Sequence, residues 1–222
     1  LDDFLEQALP VVHKALQCRQ YVVELDIDDY FCLNALTRHG FCIQDIKRIY
    51  FYKSGKLRND LDIRFSNGVR PYQASDFDRV MEIVAHSTFP SRFTRDNSLP
   101  PDKSRAFKEL WFESLLKKSS HELLALVYEK SGEVEACSAI DCKDFSAFGV
   151  NRKLMYGGLY ASTRKGTGAY QPILHRLTVS ALKLHGVGAT VVSMNNPAPM
   201  KVLESFGCSS GSVARYALTK SI

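Results

Sequence analysis

Hydrophobic residues recur along this chain with two periods, and the switches between them mark out its elements. Residues 3–17 keep helical spacing, with Pro10 set to bend or end the helix. Residues 21–25 (YVVEL) predict a strand. Asp26 or Asp28 can then cap a helix running to about Arg38, which Gly40 stops. Residues 41–52 are apolar, β-branched or aromatic at many alternate positions and predict a long strand. A turn at 54–56 and a polar edge strand and linker over 58–67 follow, with a soft boundary there.

The second half has a clearer rhythm. A short strand at 69–72 precedes a helix capped by Ser75, with Phe77, Val80, Met81 and Val84 on one face. Residues 88–101, with Pro90, Pro100 and Pro101, read as loop. An amphipathic helix over 102–118 is expected to bury Phe107, Leu110, Trp111 and Leu115. Three strands come next, at 122–128, 133–142 and 154–161, the first two joined by a hairpin turn at 130–132. Helix 168–185, strand 190–194, helix 199–206 and strand 212–219 complete the chain. From residue 69 the order is β-α-α-β-β-β-α-β-α-β, an α+β arrangement with a mixed central sheet flanked by helices. The expected division is a small N-terminal α/β domain over 1–67 and a larger domain over 68–222.

Composition narrows the classes. The chain has 222 residues, 45% hydrophobic and 24% charged, as in an ordinary globular protein. No stretch approaches the ~18–20 consecutive apolar residues of a membrane span, so no membrane partner is expected. The opening LDDFLEQALP is acidic, does not begin with Met and lacks a secretory-signal layout. A net charge of +5 fits either an anionic ligand or mere solubility. Without a concentrated basic stripe, nucleic acid is not an expected partner. Six scattered cysteines form no CxxC pair, and Cys137 and Cys142 have no His at ligand spacing. They read as buried free thiols of a cytoplasmic protein, and no metal is expected. His86, His121, His175 and His185 stand singly, without metal-ligand or triad spacing, and read mostly as surface or helix-face residues.

The stretch 154–174, LMYGGLYASTRKGTGAYQPIL, carries nameable chemistry. An apolar strand runs into a glycine-rich basic turn that opens directly into an amphipathic helix. Backbone N–H groups, Arg164, Lys165 and a helix N-terminus thereby meet at one point, which attracts phosphate. Gly166 and Gly168 permit close approach. Pro172 is tolerated because N–H groups in a first helical turn need no intrahelical partner. A helix-entry turn with solvated basic residues is the alternative reading.

This element order, with a glycine-rich turn between its fourth strand and third helix, resembles the Gcn5-related N-acetyltransferase (GNAT) superfamily. Its acyl-CoA motif, Q/R-x-x-G-x-G/A, is matched by Thr163-Arg164-Lys165-Gly166-Thr167-Gly168, followed by Ala169, with Thr163 in place of Gln or Arg. A second block, N-x-x-A-x-x-x-Y, is matched at Asn196, while Leu203 stands at the Tyr position. Within the superfamily the chain looks most like the dTDP-fucosamine acetyltransferases. The segment 89–93 (FPSRF), the helix residues Arg105, Phe107, Trp111 and Glu113, and the element 36–41 (LTRHGF) carry that narrower likeness.

The resemblance implies an acetyltransferase that uses acetyl-CoA as cofactor and a primary amine as acceptor, with the 4-amino group of a dTDP-linked amino sugar first among candidates. Backbone from Lys165 to Ala169, with Thr167 among them, would cradle the diphosphate, and Arg164 and Lys165 would add charge. Pantetheine would lie between strands 154–161 and 190–194, pairing with backbone over Leu159–Ala161 and leaving one N–H for the thioester oxygen. Asn196 would contact pantetheine or cap the next helix. Ser91, Arg92 and Phe93 would shape the acceptor site, Phe93 alternatively pinning its loop to the core. Leu203 cannot protonate the departing thiolate. Tyr216 and Tyr160 are the candidate substitutes, each also readable as a plain strand aromatic. An acyltransferase for another amine, and a non-catalytic acyl-CoA binder, stand as alternatives. A homodimer through apolar strand edges in 41–52 is a further expectation.

Overall fold

A computed structural model describes residues 1–17, 20–53, 68–87, 100–119, 124–144, 153–156, 158–163, 168–185 and 187–221. Expectations at 54–67, 88–99 and 164–167 lie outside them.

The N-terminal elements are α1 (Asp2–Leu16), β1 (Gln20–Asp26), α2 (Tyr30–Arg38) and β2 (Cys42–Lys53). Helix α1 continues through Pro10. The cap of α2 is neither Asp26 nor Asp28 but Asp29, whose carboxylate accepts from the Cys32 N–H at 3.0 Å. Gly40, at φ +80°, ends the turn beyond α2.

Strand β3 (Val69–Pro71) leads into a 3₁₀ turn (Ala74–Asp76) and α3 (Phe77–His86). Ser75 is not the cap. Gln73 caps the 3₁₀ turn in a reciprocal box in which Asp76 accepts from the Gln73 N–H at 2.8 Å, and Asp76 makes no side-chain cap bond to α3. Arg70 grips the same carboxylate at 2.8 and 2.9 Å and Glu129 at 2.7 Å. The guanidinium holds the Asp76 carboxyl below the usual carboxylate range, against the effect of burial.

Helix α4 (Pro101–Ser119) is turned relative to expectation. Phe112, Leu115 and Leu116 are buried together with Ser104 and Lys108, while Phe107, Leu110 and Trp111 are exposed. The stripe 104-108-112-115 has helical spacing, but two polar members disguise it. Lys108 is accommodated because its ammonium donates to the Ser87 carbonyl at 2.7 Å.

Strands β4 (Ala125–Lys130), β5 (Glu133–Ala139), β6 (Cys142–Asp144), β7 (Lys153–Tyr156) and β8 (Leu159–Ser162) follow. Helix α5 (Tyr170–His185), β9 (Val187–Ser193), α6 (Pro197–Ser205) and β10 (Ser209–Ser221) close the chain. The strands form two sheets, β3-β4-β5-β8 and β1-β10-β2-β9-β7-β6.

Period-two alternation places the core on both faces of the first sheet. Val127, Cys137, Leu159 and Ala161 meet Val80, Ile83 and Val84 of α3 and Phe112 of α4. Leu126 and Ala136 face the other way, toward Ile173 and Leu177 of α5, Leu203 of α6 and Tyr50 of β2. A third cluster joins Leu5, Leu36, Phe41 and Leu218 beneath α1 and α2.

Strand β2 lies between β10 and β9, antiparallel to both. Residues 20–53 therefore share a sheet with the C-terminal strands, and the boundary near residue 67 divides the chain order, not the sheet. Strand β10 takes one edge of β2 from Cys42 to Phe51, and β9 takes the other from Lys47 to Lys53.

Two long strands change sheets together. The chain pairs as β5 with β8 in one sheet and as β6 with β7 in the other. Strand β7 runs parallel to β9 through Met155↔Gly188 and Tyr156↔Ala189. Past Gly158 the chain, now β8, pairs with β5, while β9 continues beside β2. Beyond that point β8 and β9 share no ladder, and a wedge opens between them.

Gly158 stands at the crossing with φ +148°, where an added Cβ would lie 2.6 Å from the Ala139 carbonyl oxygen and 2.8 Å from Ile140 Cγ1. Gly158→Ala is expected to destabilise the fold by about 1–3 kcal/mol, read as a lower midpoint in urea unfolding.

Candidate active site

A cleft of about 900 Å³ opens beside β8, among the starts of α5 and α6 and the last turns of α3. Its residues come from four places: Tyr160 to Thr163 on and after β8, Gly168, Tyr170 and Gln171 at the start of α5, Asn196, Ala198, Pro199 and Val202 at the start of α6, and Arg79, Glu82, Ile83, His86 and Ser87 on the last turns of α3. Of the residues singled out from sequence, Tyr160, Ala161, Gly168 and Asn196 meet here. Arg164, Lys165, Gly166 and Thr167, and Ser91, Arg92 and Phe93, lie outside the described residues.

The edge of β8 decides what a ligand in the cleft can touch. Thr163 N–H donates to the Glu135 carbonyl at 2.8 Å, and the register pairs Ala161 with Cys137 and Leu159 with Ala139. In an antiparallel ladder such bonded pairs alternate with non-bonded ones. The backbone groups of Leu159 and Ala161 are thus directed at β5, and those of Tyr160 and Ser162 point the other way, to the cleft side. The Leu159 side chain is buried with the α3 and α4 cluster, and Ala169 lies in the α5 cluster. Ala161 is buried yet lines the cleft.

Two tyrosines stack at the mouth of α5. Tyr160 and Tyr170 meet edge to face, their centroids 4.7 Å apart at 82°. Burial pushes both phenols well above the ordinary tyrosine range; for Tyr160 a hydrogen bond from Ser162 works weakly the other way. Both are therefore O–H donors at neutral pH. Tyr216 sits elsewhere. It lies in β10 opposite Leu25 and Ile46 and packs on the Leu5, Leu36 and Phe41 cluster.

Helix α5 is entered through one 3₁₀ turn that includes Gly168 and Ala169. The N–H groups of its first turn carry the positive end of the helix dipole, and two of the cleft residues, Gly168 and Gln171, are placed there. Asn196 makes no side-chain cap to α6, although it occupies the cap position. The turn before α6 is braced by buried Asp45 of β2, which accepts from Ser193 Oγ at 2.7 Å and Asn195 Nδ2 at 3.3 Å. Leu203 is fully buried in the α5 and α6 cluster, while Val202 faces the cleft.

Sequence reading missed the α3 wall. Arg79, Glu82, Ile83 and His86 follow i, i+3, i+4, i+7 spacing, which was the available signal. Arg79 donates to the Val134 carbonyl at 3.1 Å and to Glu82 Oε2 at 2.7 Å. His86 Nδ1 lies 2.8 Å from the Glu82 carbonyl. Lys108 secures the end of α3 through Ser87, and burial, then Arg105, lowers its ammonium pKa. Among the described residues no group of His, Cys, Asp and Glu is arranged to hold a metal, and no helix is long and apolar enough to cross a membrane.

No protein-family model matches the chain, and no curated protein matches it in sequence. Its structure is similar to solved ones. A GCN5-related N-acetyltransferase from Sphaerobacter thermophilus superposes with TM-score 0.65 at 13% identity, over 98% of this chain and 66% of that one. A GCN5-related N-acetyltransferase from Kribbella flavida gives 0.60 at 12% identity, over 99% and 76%. A functionally unknown conserved protein from Staphylococcus epidermidis gives 0.63 at 12%, over 98% and 81%. The chain spans about two thirds of the Sphaerobacter protein's length. The fold is the GNAT fold.

Gly168 lines the cleft and leaves room for a side chain. A Cβ built there meets nothing within 4 Å. Gly168→Val is expected to keep the thermal midpoint of the unaltered protein, read by thermal unfolding.

Proposed function

We propose that this protein transfers the acetyl group of acetyl-CoA to a primary amine. The observation that carries the reading is the wedge between β8 and β9, with the start of α5 at one end and the α3 wall beside it. The GNAT fold and the acetyltransferases that share it support the same reaction.

In this reading the pantetheine arm lies along β8 and hydrogen-bonds the backbone that faces the cleft, that of Tyr160 and Ser162. The diphosphate sits at the N-terminus of α5, where the turn 163–168 would surround it and Arg164 and Lys165 would add charge. Asn196, whose side chain is not used as a cap, contacts the arm from the α6 side. Ile83, Ala161, Ala198 and Val202 give the thioester an apolar wall, which strengthens the polar contacts made within it.

Reaction begins when the amine nitrogen attacks the thioester carbon. A backbone N–H of β8 faces the oxygen on which charge develops. The C–S bond then breaks, leaving a thiolate. Leu203 supplies no proton, but Tyr160 offers an O–H. A thiol pKa is ~8.5, below that of the buried phenol, so complete proton transfer from Tyr160 is uphill. The phenol instead stabilises the thiolate as a hydrogen-bond donor. Such a bond to a charged group contributes about 1.5–3 kcal/mol, or roughly 10–10²-fold in rate. Holding the two reactants together supplies the larger share.

The finer assignment of the acceptor is the 4-amino group of a dTDP-linked aminodeoxy sugar. It rests on the likeness at 89–93 and 105–113, with Arg92 pairing with the nucleotide diphosphate and Ser91 and Phe93 shaping the pocket.

Thiol release from acetyl-CoA, followed colorimetrically against amines that include dTDP-4-amino-4,6-dideoxyhexoses, tests the reading. Acceptor-dependent release is expected, with Tyr160→Phe lowering kcat about 10–10²-fold and Tyr216→Phe leaving it unchanged. Coenzyme A binding without release for any amine would establish a binder in place of an enzyme.

A further inference from the structure

An amine that attacks a thioester must lose a proton, and neither of the cleft's phenols can take it, because burial keeps both protonated. From the α3 wall, and resting on the acyl-transfer reading above, we propose that His86 is the catalytic base that receives this proton. A carbonyl oxygen can only accept. The 2.8 Å contact between His86 Nδ1 and the Glu82 carbonyl therefore places the proton of the neutral ring on Nδ1 and the lone pair on Nε2. No hydrogen bond to Nε2 is made among the described residues.

The neighbouring polar groups of the same wall each make a hydrogen bond of their own. The Glu82 carboxylate accepts from Arg79 at 2.7 Å. Ser87 Oγ donates to the Val84 carbonyl at 2.8 Å. Lys108 of α4 donates to the Ser87 carbonyl and so fixes the chain next to His86. Arg79 and Glu82 are the charged residues that line the cleft with His86 among the described residues. Tyr160 of β8 and Asn196 of α6 line the same cleft. The imidazole stands on α3, and the thiolate donor Tyr160 stands on β8. Amine and leaving group thus have separate proton-handling residues on separate elements.

The step balances. The amine nitrogen forms the C–N bond and gives one proton to His86 Nε2. The C–S bond breaks with its electron pair on sulfur. The products are the amide, a coenzyme A thiolate held by the Tyr160 O–H, and an imidazolium. The imidazolium then returns its proton to solvent or to the thiolate.

His86→Gln and His86→Ala, with thermal midpoints recorded, test the assignment. Coenzyme A binding is measured by calorimetry, and acetyl-CoA turnover with a panel of probe amines: an amino acid, a polyamine, an amino sugar and a dTDP-4-amino-4,6-dideoxyhexose. The expected result is coenzyme A affinity within about twofold of the unaltered protein and a kcat lowered about 10²–10⁴-fold. The acid limb of the kcat/KM pH profile should reduce to the one set by the acceptor's own ammonium, and added imidazole should partly restore turnover by His86→Ala. A merely structural role moves neither the pH limb nor the imidazole response. Turnover within threefold of the unaltered protein, with an unchanged pH profile, overturns the assignment to His86 and leaves acyl transfer standing. Failure of the unaltered protein to bind coenzyme A, or to release thiol with any of these amines, overturns both.

Discussion

The parting of β8 from β9 is the constraint on which the rest of this structure depends. Buried backbone N–H and C=O groups must find partners, and a sheet normally supplies them from the next strand. Here the ladder between β7 and β9 stops after Tyr156↔Ala189, and the two strands turn to different neighbours. Strand β8 is left as a sheet edge facing a cleft rather than open solvent. An extended ligand with amide groups can continue that edge much as a peptide does in strand addition. Gly158 makes the crossing possible, since no side chain fits between it and the Ala139 carbonyl. The cleft is a consequence of topology before it is a matter of side chains.

The N-terminal segment is part of this arrangement. Strand β2 holds the other edge of β9, opposite β7, pairing with it from Lys47↔Ser193 to Lys53↔Val187. From the same strand Tyr50 donates to Glu204 of α6 at 2.8 Å. Asp45, also on β2, accepts from Ser193 and Asn195. Both contacts hold the α6 side of the wedge. Residues 42–53 are therefore structural support for Asn196 and Val202, although they lie more than 140 positions away in sequence. The α3 wall is braced in an analogous way by Lys108 of α4.

Much of the fold was legible because its signals are local. The turn at Gly132, the strand alternation of β4 and β5, and the run from β8 into α5 are written in neighbouring residues. The α4 face was not legible. Its buried stripe includes Ser104 and Lys108, and the more apolar side, Phe107, Leu110 and Trp111, is exposed. Placement of β2 depends on long-range pairing that no local pattern encodes. At the site, Gly168 and Asn196 were found through motif matches, Ala161 through the family resemblance and Tyr160 as a candidate proton donor. Which backbone groups of β8 face the cleft depends on its register with β5, and only the structure fixes that. Tyr216 shows the reverse error in inference from residue type: a tyrosine on a late strand, but packed beneath α1 and α2. His86 was passed over because a lone histidine carries no pattern until its helix is placed against the cleft.

Amide hydrogen exchange read residue by residue along β8, with and without coenzyme A, tests the central claim most directly. Ala161, bonded to β5, is expected to exchange slowly in both states, while Ser162, directed at the cleft, slows on addition of coenzyme A. Saturating coenzyme A that leaves Ser162 unaltered, or that protects residues remote from the wedge instead, would contradict it.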